Sequence, residues 1–348
     1  MTKHSWSRKL YRYLRKLVFT VVCIYSCTVL EIWQAWRGEL FMKKANTKPR
    51  KSIRSLGDSD LFVGWLFITP FLLLWLFWFF GPFVESFIRS FQDANFIALE
   101  DAKFIGLDNY LTILKDSDFH LALKHSLTIV IIAVPIQIFL ALMISIALNQ
   151  PIRGRGIFRT IYSIPYITSS IAVTTVFMVL FRQNQIVTKT LSFLGFPNET
   201  WYANINLALP FIIILFIWQQ VGFFMIIYLA GLQGIPSELY EASIIDGCNG
   251  FQKFIYITIP MLRPVTFFIV TVGTINAFQI YDQVAAISRY GSLGSPAGST
   301  STVITYFYQH GIRYMDIGYG SASVIIFFMI ILFITFIQKK LLGEGGGQ

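Results

Sequence analysis

Charge is scarce in this chain of 348 residues: 13% of positions are charged, against 55% hydrophobic. A soluble domain of that length needs far more charge to cover its surface, so the composition excludes the soluble class and assigns the chain to the membrane. Cysteine is nearly absent, with three in all. Cys23 and Cys27 lie near the start and Cys248 far away, so neither an even-numbered disulfide framework nor a Cys/His zinc site is supported. The four histidines, His4, His120, His125 and His310, are scattered. No GxxxxGK[ST], HExxH, GxSxG or CxxC motif occurs, which removes nucleotide hydrolysis by a phosphate loop and zinc-protease or esterase chemistry. The few acids inside apolar stretches form no proton relay. The chain reads as no enzyme, with no catalytic residue, metal or cofactor of its own. Any solute it moves uphill takes its energy from elsewhere.

What is abundant is long apolar sequence. Crossing roughly 30 Å of hydrocarbon takes about 20 apolar residues in a helix. Stretches of that kind lie near 61–88, 125–148, 160–181, 208–232, 265–287 and 321–338. None alternates with period two as a barrel strand would, so the chain is expected to be an all-α membrane protein of six spans.

The net charge of +10 is mostly a side-to-side asymmetry. Arg50, Lys51 and Arg54 precede the first span. Arg153, Arg155 and Arg159 follow the second, Lys253 and Arg263 follow the fourth, and Lys339 and Lys340 follow the last. The 89–124 loop instead carries Asp93, Glu100, Asp101, Asp108, Asp116 and Asp118. Basic residues stay inside, so both termini are expected in the cytoplasm of a bacterium, the chain lying in its inner or plasma membrane. No basic cluster is interleaved with aromatics in a soluble domain, so nucleic acid is not an expected partner.

Residues 1–60 form a basic extension ahead of a 61–340 membrane domain. Leu17–Trp36 within it is apolar but contains Glu31 and is flanked by basic residues on both sides. Spanning would send positive charges outward, so a helix in the cytoplasmic interface, against membrane lipid with Trp33 and Trp36 at headgroup depth, fits better. A signal peptide is the rival reading, although no small-residue cleavage site is obvious.

Polar residues interrupt two spans. The fourth holds Trp218, Gln219, Gln220 and Gly222, and the fifth holds Asn276, Gln279, Tyr281, Asp282 and Gln283. Asn276, Gln279 and Gln283 follow i, i+3, i+7 and would share one face of a helix. Amides are costly in lipid, so this face should look into protein or a watery cavity. Two readings stay open: interhelical hydrogen bonding, or a solute path in which amides and nearby rings suit a sugar. Pro70, Pro135, Pro165, Pro210 and Gly222 are candidate hinge points.

Between spans four and five, residues 233–264 include SELYEASIIDGCNGFQKFIYITIP. Ser237 reads as an N-cap with Glu238 in the first turn. Leu239, Ala242 and Ile245 form a short apolar stripe, and Gly247 stops the helix in a left-handed conformation. A second short helix is expected from Phe251 to Ile259, ended by Pro260. Such a hairpin is too short and apolar to stand alone, so it should dock onto something.

That loop, with Glu241-Ala242-Ser243, Asp246-Gly247 and Ile259-Pro260, strongly resembles the EAA loop of permease subunits in ABC importers. Ser243 and Cys248 stand where Ala is commoner in the family. FVGWLFITPFLLLW, FIGLDNYLTIL, AFQIYDQV, STSTVITYFY and DIGYGSAS resemble the carbohydrate type, close to the maltose/multiple-sugar first permeases, over about residues 60–340.

The resemblance implies a six-span permease core and a pathway shared with a second homologous permease subunit. It further implies an ATPase dimer that binds the ATP and Mg, and an external solute-binding protein. The EAA loop would be the coupling helix in a cleft of the ATPase, with Glu241, Ala242, Ser243, Asp246, Gly247 and Pro260 in the family's spacing. The solute would be a sugar or oligosaccharide. Import of glycerol-3-phosphate or a polyol-like solute, and a non-transporting receptor role, remain alternatives.

Overall fold

A computed structural model describes residues 57–288 and 293–342. The expected interfacial helix over Leu17–Trp36 lies outside the described residues. The chain divides into two compact units, residues 1–72 and 73–348. The described part of the first is residues 57–72, most of helix α1, Gly57–Trp75. Its side chains from Trp65 to Leu72 are apolar or, at Thr69, folded back onto the backbone: the Thr69 hydroxyl donates to the Trp65 carbonyl at 2.6 Å. A helix face of this kind suits hydrocarbon, since no polar group is left needing a partner.

In the second unit, a π-helical turn at Leu76–Phe80 leads into α2, Gly81–Arg89. A two-residue antiparallel pair follows, β1 (Gln92–Asp93) with β2 (Lys103–Phe104), and then α3, Asp108–Ile113. Helix α4 runs from Ser117 to Asn149, 33 residues, longer than the predicted 125–148 because the Asp116 carboxylate caps it by accepting from the Asp118 amide at 2.8 Å. Then come α5 (Arg155–Ile167), α6 (Ser170–Leu180) and α7 (Ile186–Ser192). Next are α8 (Ala208–Gln233) and α9 (Ser237–Ile245). Short α10 (Gly250–Lys253) and α11 (Ile259–Met261) flank a π-helical turn at Phe254–Thr258. The chain finishes with α12 (Arg263–Phe278), α13 (Asp282–Ile287), α14 (Val303–Phe307) and α15 (Ile317–Leu342).

Among the described residues, five helical stretches are long and apolar enough to cross a membrane, and α5 with α6 makes six if the bent pair counts as one span. The all-α, six-span architecture holds, but two spans are not the straight helices that the hydropathy predicts. The 160–181 stretch is bent by 99° between α5 and α6. Pro165 has no N–H for the helical ladder, Thr168 turns to an extended conformation (ψ 145), and its hydroxyl bonds the Ile164 carbonyl at 2.7 Å. The 265–287 stretch unwinds over Gln279–Tyr281. There the Thr302 hydroxyl donates to the Ile280 carbonyl at 2.9 Å, replacing a helical partner. Of the five hinge candidates, Pro70 and Pro135 lie within helices that run on past them, and neither break falls on a proline or glycine.

The core is built around α4 and α8. Aromatic and aliphatic side chains from both, including Ile129, Phe211, Phe216, Phe224 and Tyr228, are fully or almost fully buried. Gly222 lets α5 lie backbone-to-backbone on α8: a Cβ there would sit 1.7 Å from the Tyr162 carbonyl oxygen. Gly318 does the same for β1, with the Gln92 carbonyl oxygen 2.0 Å from its would-be Cβ. No larger residue fits at either position without moving backbone.

Candidate functional site

The two breaks face one another across α8. Together they open a cleft of about 290 Å³ lined by Tyr166 and Ser170 from the α5–α6 bend, Phe216 and Gln220 from α8, and Asn276, Gln279, Ile280, Tyr281, Asp282 and Gln283 from the α12–α13 break. Unwound backbone at this depth is tolerated only where protein or a watery cavity satisfies it. The cleft has amides, hydroxyls and ring faces, one carboxylate, and no Lys or Arg.

The amides do different work. Gln283 Nε2 donates to Gln219 Oε1 at 3.0 Å, and Gln219 Nε2 donates to Ser170 Oγ at 3.0 Å. Gln219 is 4% exposed, so it ties α6, α8 and α13 together from behind the cleft. Gln220 lines the cleft, its Oε1 buried and without a hydrogen-bond partner. Gln279 is exposed in the cleft, and Asn276 is half-buried there. The shared helix face predicted for Asn276, Gln279 and Gln283 does not exist, because α12 ends at Phe278 and Gln279 is its cap. The break still brings all three to one cleft. Trp218 is elsewhere: it lines a separate apolar cleft with Tyr162, Pro165 and Gly222, its ring 5.0 Å from that of Phe177. Sequence reasoning missed Tyr166 and Ser170; the only signal for Ser170 was the run of hydroxyls at Thr168, Ser169 and Ser170.

At one end of the bundle, Asp116 joins α4 to the α14–α15 region. Its carboxylate accepts from Tyr306 and, at 3.2 Å, from Tyr319, while the His310 ring packs 4.4 Å from that of Tyr306. Burial pushes the Asp116 pKa up, but the hydrogen bonds from Tyr306, the Asp118 amide and Tyr319 outweigh it and hold the carboxyl below its usual range. Burial lowers the pKa of His310, against the pull of Asp116 and nearby acids. Asn109 anchors the adjoining loop, donating to the Ser90 and Gln92 carbonyls at 3.1 and 3.0 Å.

At the other end lies the 233–264 loop. Pro236, not Ser237, is the N-cap of α9, and Ser237 is its first helical residue, with no side-chain cap. Proline's fixed φ sets the entry without one. The far end behaves as predicted: Gly247 is left-handed (φ +77), its N–H donating to Ile244 O and that of Cys248 to Ser243 O, a Schellman closure. Ser243 is buried, its hydroxyl on Tyr240 O at 2.6 Å, while Glu241, Ala242 and Asp246 are exposed. Pro260 does not end the second helix, which runs on to Met261. The π-helical turn before it shifts the hydrogen-bonding register, so Pro260 falls in the first turn of α11, where a missing N–H costs nothing. The Tyr240 hydroxyl meets Thr258 Oγ1 at 2.9 Å and closes the hairpin. Ile244, Ile245, Phe251 and Tyr256 remain exposed, Ile245 by 88%.

Residues 123–343 match the family described as "Binding-protein-dependent transport system inner membrane component". The chain belongs to that family. It is a multi-pass, membrane-embedded permease subunit of an ABC importer, a transport component and not an enzyme. Its relatives include the arabinooligosaccharides transport system permease protein AraP of Bacillus subtilis (strain 168), 33% identical over 303 residues, covering 84% of this chain and 94% of that protein. The lactose transport system permease protein LacF of Rhizobium radiobacter is 32% identical over 296 residues, covering 84% and 97%. Among solved structures, a chain of the bacterial alginate ABC transporter in complex with an alginate pentasaccharide-bound periplasmic protein superposes with a TM-score of 0.66 at 21% identity, covering 81% of this chain and 94% of that one. That likeness establishes the fold.

Proposed function

We propose that this permease subunit forms part of the path for a neutral sugar or oligosaccharide delivered by an external binding protein, and that the cleft between the two broken helices is where the solute passes. The observation that carries the reading is the make-up of that cleft: amides, hydroxyls, the rings of Tyr166, Phe216 and Tyr281, and the Asp282 carboxylate, with no Lys or Arg. Sugar hydroxyls need neutral donors and acceptors, and sugar C–H faces stack on rings. A phosphorylated solute would want a cation there. The names of AraP and LacF point the same way.

In this reading the basic loops face the cytoplasm with both termini. The α9 hairpin, within residues 233–264, docks through Glu241 and its exposed apolar residues into a separate ATPase subunit, which binds ATP and Mg. A second homologous permease completes the path. The basic residues 1–60 lie ahead of a 61–340 permease domain.

The test is uptake into proteoliposomes containing the permease pair, the ATPase and the binding protein, with a labelled neutral oligosaccharide or labelled glycerol-3-phosphate. ATP-dependent accumulation of the sugar and not of the phosphate is expected. Binding protein that stimulates ATP hydrolysis without accumulation of any solute sinks the importer reading.

A further inference from the structure

Arg155 and Arg159 lie one turn apart at the start of α5, and both guanidinium groups turn toward the last residue of α8. The Gln233 carboxamide, with its oxygen facing them, accepts from Arg155 at 2.6 Å and from Arg159 at 3.0 Å. Arg155 also donates to Asn149 Oδ1 at 3.3 Å. Both arginine Nε atoms are buried and have no hydrogen-bond partner. Among the described residues the one ion pair is Arg89–Glu85, so neither arginine has a carboxylate within 4.0 Å there. Two like charges, both half-buried, thus converge on one neutral oxygen. Such an arrangement is electrostatically incomplete, because a partly desolvated cation pair raises its own energy unless an anion joins it.

The surroundings say which anion. Ile157, Phe158 and Ile161, on the same first turns of α5, are 67%, 45% and 55% exposed. The arginines therefore sit where the chain passes from its polar loop into its apolar, outward-facing surface, the depth of a phospholipid headgroup. Gly154, left-handed at φ +80, turns the chain so that the end of α4 and the start of α5 converge on this spot. Arginine forks match phosphate oxygens better than a point charge does.

We propose that Arg155, Arg159 and Gln233 form a binding site for the phosphate of an anionic phospholipid in the leaflet at this end of the bundle. The lipid phosphate supplies the missing counter-charge and pins the α4–α5 turn to the α8 end, next to the hairpin of α9.

The experiment is native mass spectrometry of the purified permease–ATPase complex after exchange into phosphatidylglycerol or phosphatidylcholine of the same acyl chains, with inorganic phosphate as soluble competitor. Preferential retention of phosphatidylglycerol is expected. Arg155→Gln with Arg159→Gln should weaken it by about fivefold per arginine, the factor equivalent to roughly 1 kcal/mol for a basic residue at an anionic surface. Arg155→Lys with Arg159→Lys keeps the charge and loses the fork, so it should fall between, and it carries the comparison if the Gln variant fails to fold. Arg153→Gln, an exposed charge in the same loop, should leave retention unchanged. Four results overturn the proposal: equal retention in the Gln variant and the wild type, an equal loss with Arg153→Gln, displacement of the lipid by inorganic phosphate, or loss of the ATPase subunit with lipid retention intact. The last would assign the arginines to a protein carboxylate.

Discussion

Gln219 and Gln279 look alike in the sequence, each an amide in an apolar span, yet the structure separates them. Gln219 is enclosed and bonded on both sides, whereas Gln279 stands exposed in the cleft and makes no side-chain hydrogen bond among the described residues. Gln219→Leu should therefore act on stability. It strands Gln283 Nε2 and Ser170 Oγ, and interhelical amide bonds in membranes contribute roughly 0.6–2 kcal/mol. A lower thermal unfolding temperature in detergent is the measurement. Gln279→Leu should leave that temperature unchanged and reduce sugar uptake at limiting substrate about 2- to 10-fold, the loss of one neutral hydrogen bond of roughly 0.5–1.5 kcal/mol. If both variants change the same observable by the same amount, the division between support and path is wrong.

At the scale of elements, glycines decide how closely helices approach. At Gly222 the obstruction is the backbone of Tyr162, not the end of a flexible side chain, so Gly222→Ala forces α5 away from α8 and deforms the bend that forms one wall of the cleft. Reduced yield of folded protein and faster proteolysis in the 150–154 loop are expected. Gly156→Ala is the control: nothing lies within 4 Å of its would-be Cβ, and alanine favours a helix by about 1 kcal/mol over glycine, so stability should hold or rise. Equal damage from both would mean that close helix approach is not what Gly222 provides. The breaks themselves belong to this scale. At the second break the Thr302 hydroxyl takes over the Ile280 carbonyl from more than twenty residues away, whereas at the first the Ile164 carbonyl keeps the Thr168 N–H alongside the Thr168 hydroxyl.

For the whole assembly, the α9 hairpin is the place where this chain should meet its source of energy. Glu241 is exposed, and Gly247 holds a φ of +77 that proline, fixed near −65°, cannot adopt. Glu241→Lys and Gly247→Pro should each reduce co-purification of the ATPase by about tenfold or more, as expected when a charge central to an interface is reversed or its supporting turn is lost. Membrane insertion should be unaffected. Normal ATPase recovery and normal uptake in both variants would remove the coupling role from this loop.

The sequence by itself determined the membrane class, the all-α six-span plan, the short helix between spans four and five with its left-handed glycine stop, and the family. Each of these rests on local composition or on short spacings, because hydrocarbon demands long apolar runs and a left-handed stop demands glycine. Hydropathy could not locate the breaks in spans three and five, since an unwound apolar stretch and a helical one have the same composition. Nor could spacing tell Trp218, which lines an apolar cleft, from Gln220, which lines the polar one. Contacts between distant residues decided these matters: Thr302 with Ile280, Gln283 with Gln219, and Gly222 with Tyr162. A hydrogen bond or a backbone approach between separated segments leaves no periodic mark in either one, so the cleft became visible only when the helices were packed.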